Sequence, residues 1–533
     1  MRPAYAPDSL HRLRIALFVA AFLFTSILPG NRLAASPTEG PTLKATPIPA
    51  AQIHETLIAE ARQGSDIVAI RVSGTGAERR VAWLEETKGS KTVWLDGKQV
   101  AGPYDEVKYF AFRAQGGPVV VVATRKSKWT LKIGEQEYGG DYSKITAPDV
   151  GPEGQSLAGV CRDKTCRLMV DGHESGPVFE DIGTPDFSPK GEHMVYFGKR
   201  NGKWTVILDG KETGPEMDGW WTHRWWAGGS RLAVAAVLDG KSTWVVEGNP
   251  GPRFDVIGNI AFSADGQHYA YGGANAQSGF TKQDVVGSIV IDGTAVEPSF
   301  TGRGMLGGWT WLGGKGLSIV KGLKRLSTDF HGVSDPDFNG RGELVFGHRL
   351  ASGQVAVRVG NDDGPTFDDL TSPIAIGPES EHIAYVGRKG DAFVEVRDQT
   401  PGVTFSAKRD IAMVAWIGLS KGGHLTYSTV LGGGEFKAGR SQRALRRVVF
   451  DGVAEAEYDA FGITPCLISI GGEQHVYVVT GADGTRDRLV VNGRETGLYD
   501  DVVSGSLNML PPTGVEFVVR QERRLLLVTV DAR

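Results

Sequence analysis

The stretch 184-TPDFSPKGEHMVYFGKRNGKWTVILDGKETGPEMDG-219 decides the fold, because from about residue 66 to the C-terminus the chain keeps returning to degraded copies of it. Phe187 closes a short apolar run before the turn Ser188-Pro189-Lys190-Gly191, and Met194 to Phe197 follow with β-branched and aromatic residues, which is the pattern of a hairpin. A second turn at 199–202 leads to the alternating run Trp204 to Leu208, and Asp209-Gly210 then supplies the positive φ values that a tight type I′ turn requires. A fourth short strand ends near Met217. Four antiparallel strands in about 38 residues make one propeller blade. A lone blade cannot bury both of its faces, so its neighbours must be copies of itself.

The turn between third and fourth strands marks the copies: Asp96-Gly97, Ile133-Gly134, Asp171-Gly172, Asp209-Gly210, Glu247-Gly248, Asp292-Gly293, Lys321-Gly322, Val359-Gly360, a weaker Asp398, Asp451-Gly452 and Asn492-Gly493. An aromatic residue or Met follows each, from Tyr104, Tyr142, Phe179, Met217 and Phe254 through Phe300, Phe330, Phe367, Phe405 and Tyr458 to Tyr499. A first-strand anchor recurs as Phe112, Phe187, Trp225, Phe262, Trp311, Phe338, Ile376 and Trp416. Recurrence of side-chain character at fixed repeat positions predicts packing between adjacent blades. The fold class expected is therefore all-β, a tandem array of about twelve four-stranded blades, the last lacking its outer strand. Propellers hold 4 to 8 blades, so the array divides into two propellers of about six, 65–305 and 306–533, with the seam in the Gly-rich TGRGMLGGWTWLGGKG at 301–316. A single oversized ring, or a division into seven and five, also fits the count.

Ahead of the repeats, Arg2, Arg12 and Arg14 precede an apolar run from Ile15 to Leu28 and the small residues Ala34, Ala35 and Ser36. This reads as a cleaved secretory signal over 1–36; the competing reading, an uncleaved anchor, asks for the ~20 apolar residues that span a bilayer. Residues 37–64 are a Pro- and Thr-rich linker plus a short helix, predicted from Ile53, Leu57, Ile58 and Ala61. The same segment is also a source for the outer strand missing from the last blade. Net charge is −4, with 73 glycines in 533 residues, as turn-dense β architecture demands. Near-neutrality gives no electrostatic case for nucleic acid or an anionic membrane. Cys161 and Cys166 face each other across a hairpin, which predicts a disulfide suited to an oxidising compartment. A zinc site there would need further ligands, and His173 is the only candidate. Cys466 lies in an apolar run and reads as a buried small residue.

The F-S-P-x-G turn, the apolar-x-Tyr strand after it and the Asp-Gly turn, best seen in FSPKGEHMVY at 187–196 and FSADGQHYAY at 262–271, resemble the WD40-like propeller repeats of TolB-type periplasmic proteins and of the propellers that accompany prolyl oligopeptidase-type hydrolases. The resemblance covers most of 66–533 and implies an exported bacterial protein whose propellers bind something. The chain departs from the peptidases in lacking an α/β segment and a G-x-S-x-G elbow, so hydrolase activity does not carry over.

Four histidines (193, 268, 382 and 424) share one repeat slot before the second strand, which marks them as structural, since a catalytic base is needed once. Asp335, Asp337 and Asn339 open like a calcium loop but lack its twelfth-position Glu, and DFNGRGE aligns with the repeat turn DFSPKGE. The basic cluster Arg440, Arg443, Arg446 and Arg447 reads as a solvated loop. No isolated carboxylate pair stands out from the repeat. The strongest functional signal is DGWWTHRWWAGGSR at 218–231, where Trp221, His223, Arg224 and Trp226 exceed what a blade needs, with Trp309 at the corresponding place in the seam. Trp and Arg are enriched at binding hot spots, and these five are the candidate ligand-binding residues; the opposing reading makes the tryptophans packing or a channel plug. No catalytic residue, metal or cofactor is expected. The functional expectation is a periplasmic or secreted, non-enzymatic binding module for a protein or peptide, with no transmembrane span once the signal is cleaved. The alternative is a carbohydrate-active or other ligand-processing enzyme with its site in a central channel.

Overall fold

The computed structural model describes residues 44–112, 117–276, 283–304 and 336–531, apart from positions 351, 378–380, 407–412, 421, 431–443, 465–466, 469–473, 482–483, 504 and 511–513. Strands dominate the described residues, with three single-turn 3-10 segments and no helix long and apolar enough to cross a membrane. The strands of the described residues pair into ten sheets: five four-stranded units, four units whose inner strand is broken in two and so count five strands, and one sheet of two units fused through the long strand Val453–Ile463, giving eleven units. In chain order, units 1 to 6 span 66–104, 106–142, 144–179, 181–217, 219–250 and 256–304. Units 7 to 10 span 337–363, 369–406, 413–463 and 467–495, and unit 11 spans 501–531. The chain is thus a β-propeller repeat protein. The repeat expected around Trp311, Lys321-Gly322 and Phe330 lies outside the described residues.

Local chemistry explains the regularity. Asp96, Asp171, Asp209, Asp292 and Asp451 each hold φ between 46° and 50° ahead of a positive-φ glycine, the geometry of a type I′ turn. The same carboxylates reach back to the second strand: Asp209 Oδ1 accepts the Met194 amide at 2.9 Å, and Asp292 accepts that of Tyr269 at 2.9 Å. The recurring histidines lock that turn from outside, with Nδ1 of His193, His268, His382 and His424 2.7–2.8 Å from the turn carboxylate. The aromatic after the turn is buried at Tyr104, Tyr142, Phe179, Phe254, Phe367, Tyr458 and Tyr499. It packs into the following unit: Phe179 meets Tyr196 edge-on at 6.2 Å, Arg200 lies 4.5 Å over its ring, and Tyr142 Oη donates to Glu174 at 2.7 Å.

The expected N-terminal helix is not formed. Residues Ala50–Gln52 make one 3-10 turn, and Ile53–Glu60 is a strand antiparallel to Arg524–Asp531, completing unit 11 as its fourth strand. The spacing of Ile53, Leu57, Ile58 and Ala61 suits a helix, but the open edge of Arg524–Asp531 offers backbone partners along its whole length, and tertiary pairing overrides so short a helical signal. Glu55 there takes the Tyr499 hydroxyl at 3.0 Å, the same role that Glu174 plays for Tyr142. Upstream, Thr46–Pro47 runs parallel to Arg494–Glu495 at the edge of unit 10.

One hydrophobic cluster joins Ala61, Ile67, Ile70, Val81 and Trp83 to Val503, Val518 and Leu525, so unit 11 packs on unit 1. Arg79 and Glu516, each almost wholly buried, form an ion pair across that junction. At the other seam the described residues stop at 304 and resume at 336, with Val256–Phe262 of unit 6 beside Asp337–Phe338 of unit 7. No core cluster of the described residues joins unit 1 to unit 6.

Candidate functional site

Gly219–Trp226 is the whole inner strand of unit 5, paired with Arg231–Leu238 and bulged between Trp220 and Thr222. Its aromatic residues therefore divide between two sides and two ends instead of forming one patch. Trp220 stacks on Phe197 at 3.6 Å and 12°, and with Trp225 it packs toward unit 4, whereas Trp221 and Trp226 pack toward unit 6. Trp226 is a correction to the sequence reading: it is only 6 % exposed, stacked on Phe262 at 4.2 Å and 9°, with Arg231 over its other face and Nε1 donating to the Gly266 carbonyl at 3.3 Å. As the last residue before the turn it meets the anchor of the next unit, which makes it core. Trp221 is half-buried and Arg224 exposed. Trp309 lies outside the described residues.

His223 is held rather than free. Its Nε2 lies 2.7 Å from Asp186 Oδ2, the oxygen that also accepts Trp225 Nε1–H at 2.9 Å. Asp186 in turn hydrogen-bonds Asp149 of unit 3, whose Oδ2 accepts the Phe187 amide at 2.7 Å. The two carboxyls are pushed apart. Burial and the charge of Asp186 hold Asp149 above the usual carboxylate range, despite the Phe187 amide. Burial acts upward on Asp186 too, but the His223 and Trp225 hydrogen bonds outweigh it, and the net shift is downward. Of the two, Asp149 is the carboxyl whose neutral form its surroundings favour and Asp186 the one whose charge they favour.

The strand registers put these groups in one slot of the repeat, the residue before the first-strand anchor. Read through the pairings of units 1 to 8, the slot holds Arg71, Ala111, Asp149, Asp186, Arg224, Ala261, Asp337 and Ala375. Burial pulls the Arg71 guanidinium down and the neighbouring Tyr109 hydroxyl up. Asp337 touches solvent, yet loss of hydration pushes its carboxyl upward. Sequence reasoning assigned Asp186 and Asp337 to the repeat turn and passed over Asp149, Tyr109 and Arg71. The usable signal was the alternation of Ala with charge at this one slot.

Cys161 and Cys166 are directly opposed across their hairpin and joined in a disulfide. Arg446 is crowded enough that burial lowers its guanidinium, and Arg447 pairs with Glu457, so these two do not belong to a solvated loop. Arg440 and Arg443 lie outside the described residues.

No family model matches the chain, and no curated protein does. Among solved structures it is similar to a eukaryotic initiation factor, at 10% identity over 86% of this chain and 98% of that one, with a TM-score of 0.36. It is also similar to the Dos1 propeller, at 10% identity, 66% and 92% coverage and TM-score 0.31. A GH74 enzyme from Niastella koreensis matches at 13% identity, 87% and 84% coverage and TM-score 0.26. Likenesses this distant go no further than the repeat architecture, which the strand pairing establishes by itself.

Proposed function

We propose that the chain is an exported, non-enzymatic propeller that binds a protein or peptide partner in the bacterial envelope through the inner-strand wall of units 3 to 5. The observation that carries this reading is the slot itself: consecutive units present Asp149, Asp186 and the exposed Arg224, with His223 and Trp225 fixing Asp186 and the half-buried Trp221 alongside. Charges of both signs in one row suit polypeptide side chains and specify register. Export rests on the signal pattern of 1–36. The test is capture of partners from envelope extracts by tagged wild-type protein and by Arg224→Ala, an exposed side chain whose loss leaves the core alone. Capture should fall about tenfold or more at an unchanged melting temperature; undiminished capture refutes the assignment.

A second reading, a carbohydrate-processing enzyme in the same channel, draws support from the opposed shifts of Asp149 and Asp186, since paired acids with separated pKa values are a mark of acid–base chemistry. Their closeness, with each carboxyl shifting the other, counts against it. The acids of glycoside hydrolysis stand roughly 5 to 9.5 Å apart to leave room for sugar and water. Glycan hydrolysis by wild type that vanishes in Asp186→Asn would reverse this preference.

A further inference from the structure

We propose that Cys161, Cys166 and Asp181, once the cysteines are reduced, form a site for a thiophilic divalent cation such as Zn2+ or Cd2+. The hairpin is thus closed by the disulfide when oxidised and open to a metal ion once a dithiol has reduced it. Zinc looked poorly supported from sequence because His173 was the only further ligand in view, and His173 begins the outer strand, at the opposite end of Thr165–Val170 from Cys166. The third ligand comes instead from the next unit. One ligand atom each from Cys161, Cys166 and Asp181 lie within 4.8 Å of one another.

The donor set has the chemistry of such a site. Cys161-x4-Cys166 falls within the spacing of zinc-binding cysteine pairs, and two thiolates with a carboxylate suit a borderline-soft cation. Both hydrogen bonds of Asp181, from Lys144 Nζ at 2.6 Å and from the Ile182 amide at 2.8 Å, fall on Oδ1, leaving Oδ2 to act as a ligand. The Glu180 carbonyl, 3.6 Å from Cys166 Sγ, is a fourth donor within a small adjustment. Charge balances as well: two thiolates and a carboxylate are offset by the cation and by the Lys144 ammonium. The cysteines are 3 % and 1 % exposed, but the Asp181 side chain is 42 % exposed, so a cation enters from its side.

The redox step needs a dithiol reductant. Thiol–disulfide exchange breaks the Cys161–Cys166 bond, transfers two electrons and two protons to give two thiols, and leaves the reductant as its own disulfide. Cation binding then displaces both thiol protons to solvent. The bound cation would link unit 3, which carries the hairpin, to unit 4, which carries Asp181.

The test uses the full chain carrying Cys466→Ser, so that only this pair titrates. Reduced protein is stripped of reductant and titrated with Cd2+, following thiolate-to-metal charge-transfer absorption. One Cd2+ should bind per reduced chain and none per oxidised chain, with affinity lowered about tenfold or more by Asp181→Asn and binding abolished in Cys161→Ser/Cys166→Ser. Independently, stoichiometric Zn2+ should slow alkylation of the two reduced thiols about tenfold, a readout that needs no variant at Asp181. Folded, reduced protein that takes up no Cd2+, uptake unchanged by Asp181→Asn, or alkylation indifferent to Zn2+ would overturn the site.

Discussion

Replacing Gly198 by alanine tests whether the repeat's aromatic residue is the joint between neighbouring units. Gly198 lies in the second strand of unit 4, with no positive φ to confound the substitution, and a Cβ there would sit 2.2, 2.3 and 2.5 Å from Cε1, Cδ1 and Cζ of Phe179 in unit 3. Carbon atoms in contact stand about 3.5 Å apart, so the ring would have to retreat by about 1.3 Å. It has nowhere to go, being 2 % exposed, held edge-on by Tyr196 and covered by Arg200. Overpacking of this kind costs about 1–3 kcal/mol. Urea unfolding of Gly198→Ala should show that loss. Gly462→Ala, where nothing lies within 4 Å of the new methyl, should stay within about 0.5 kcal/mol. Adding Phe179→Leu to Gly198→Ala should recover part of the loss, giving a coupling of about 1 kcal/mol between the two sites. If Gly198→Ala is neutral, or if the two substitutions add independently, the joint is elsewhere. Gly273 over Phe254 and Gly387 over Phe367, at 2.3 Å each, repeat the arrangement and should repeat the result.

Asp149→Asn makes permanent the neutral form that the fold already favours, and its Oδ1 can still accept the Phe187 amide. Because the folded-state pKa of Asp149 is raised, the folded protein holds that proton longer than the unfolded chain, and wild type loses stability as pH rises from the ordinary carboxylate range toward the raised value. The variant should therefore match wild type in acid and gain on it toward neutral pH; melting curves across that range that run parallel would refute the raised Asp149 carboxyl. Glu55→Ala strands the Tyr499 hydroxyl, in a residue only 5 % exposed, and should cost about 1–3 kcal/mol in urea unfolding. Deleting 44–60 should go further, leaving Arg524–Asp531 an open edge, and a synthetic 44–62 peptide should restore the lost stability in trans; a truncated chain as stable as wild type would refute closure by the N-terminal strand.

What could be read from the sequence was what short range decides. An Asp-Gly turn needs no distant partner to declare itself, and histidines recurring at one slot read as structural, although only the structure supplies their task of clamping the turn carboxylate. Longer-range features were hidden. The acid after the aromatic or Met, as in Glu180, Asp218 and Asp368, accepts an amide from the turn of the following unit, at Asn201, Gly240 and Gly390. A charged residue at a strand end reads in isolation as solvated. Ile53–Glu60 was taken for a helix because its partner is more than 460 residues away. Trp226 was misassigned because its register relative to Phe262 depends on a bulge at Trp221 that no local pattern announces.

The inner-strand slot carries the remaining argument about function, because it is a place where folding leaves a choice. Units 2, 6 and 8 fill it with alanine, which costs nothing to desolvate and shows that no charge is needed there for a unit to form. Units 1, 3, 4, 5 and 7 fill it with Arg71, Asp149, Asp186, Arg224 and Asp337, and burial displaces Arg71 and Asp149 toward their neutral forms. At the part-buried Arg71, Asp149 and Asp186 the charge is held against a desolvation cost that a neighbouring repeat avoids by one substitution. Part of the cost is recovered inside the protein where His223 and Trp225 bond Asp186, but Arg224 stands exposed. A cost borne at one register position in units 1, 3 and 4, where the fold itself accepts alanine in unit 2, is what a recognition surface built on a repeat scaffold would impose.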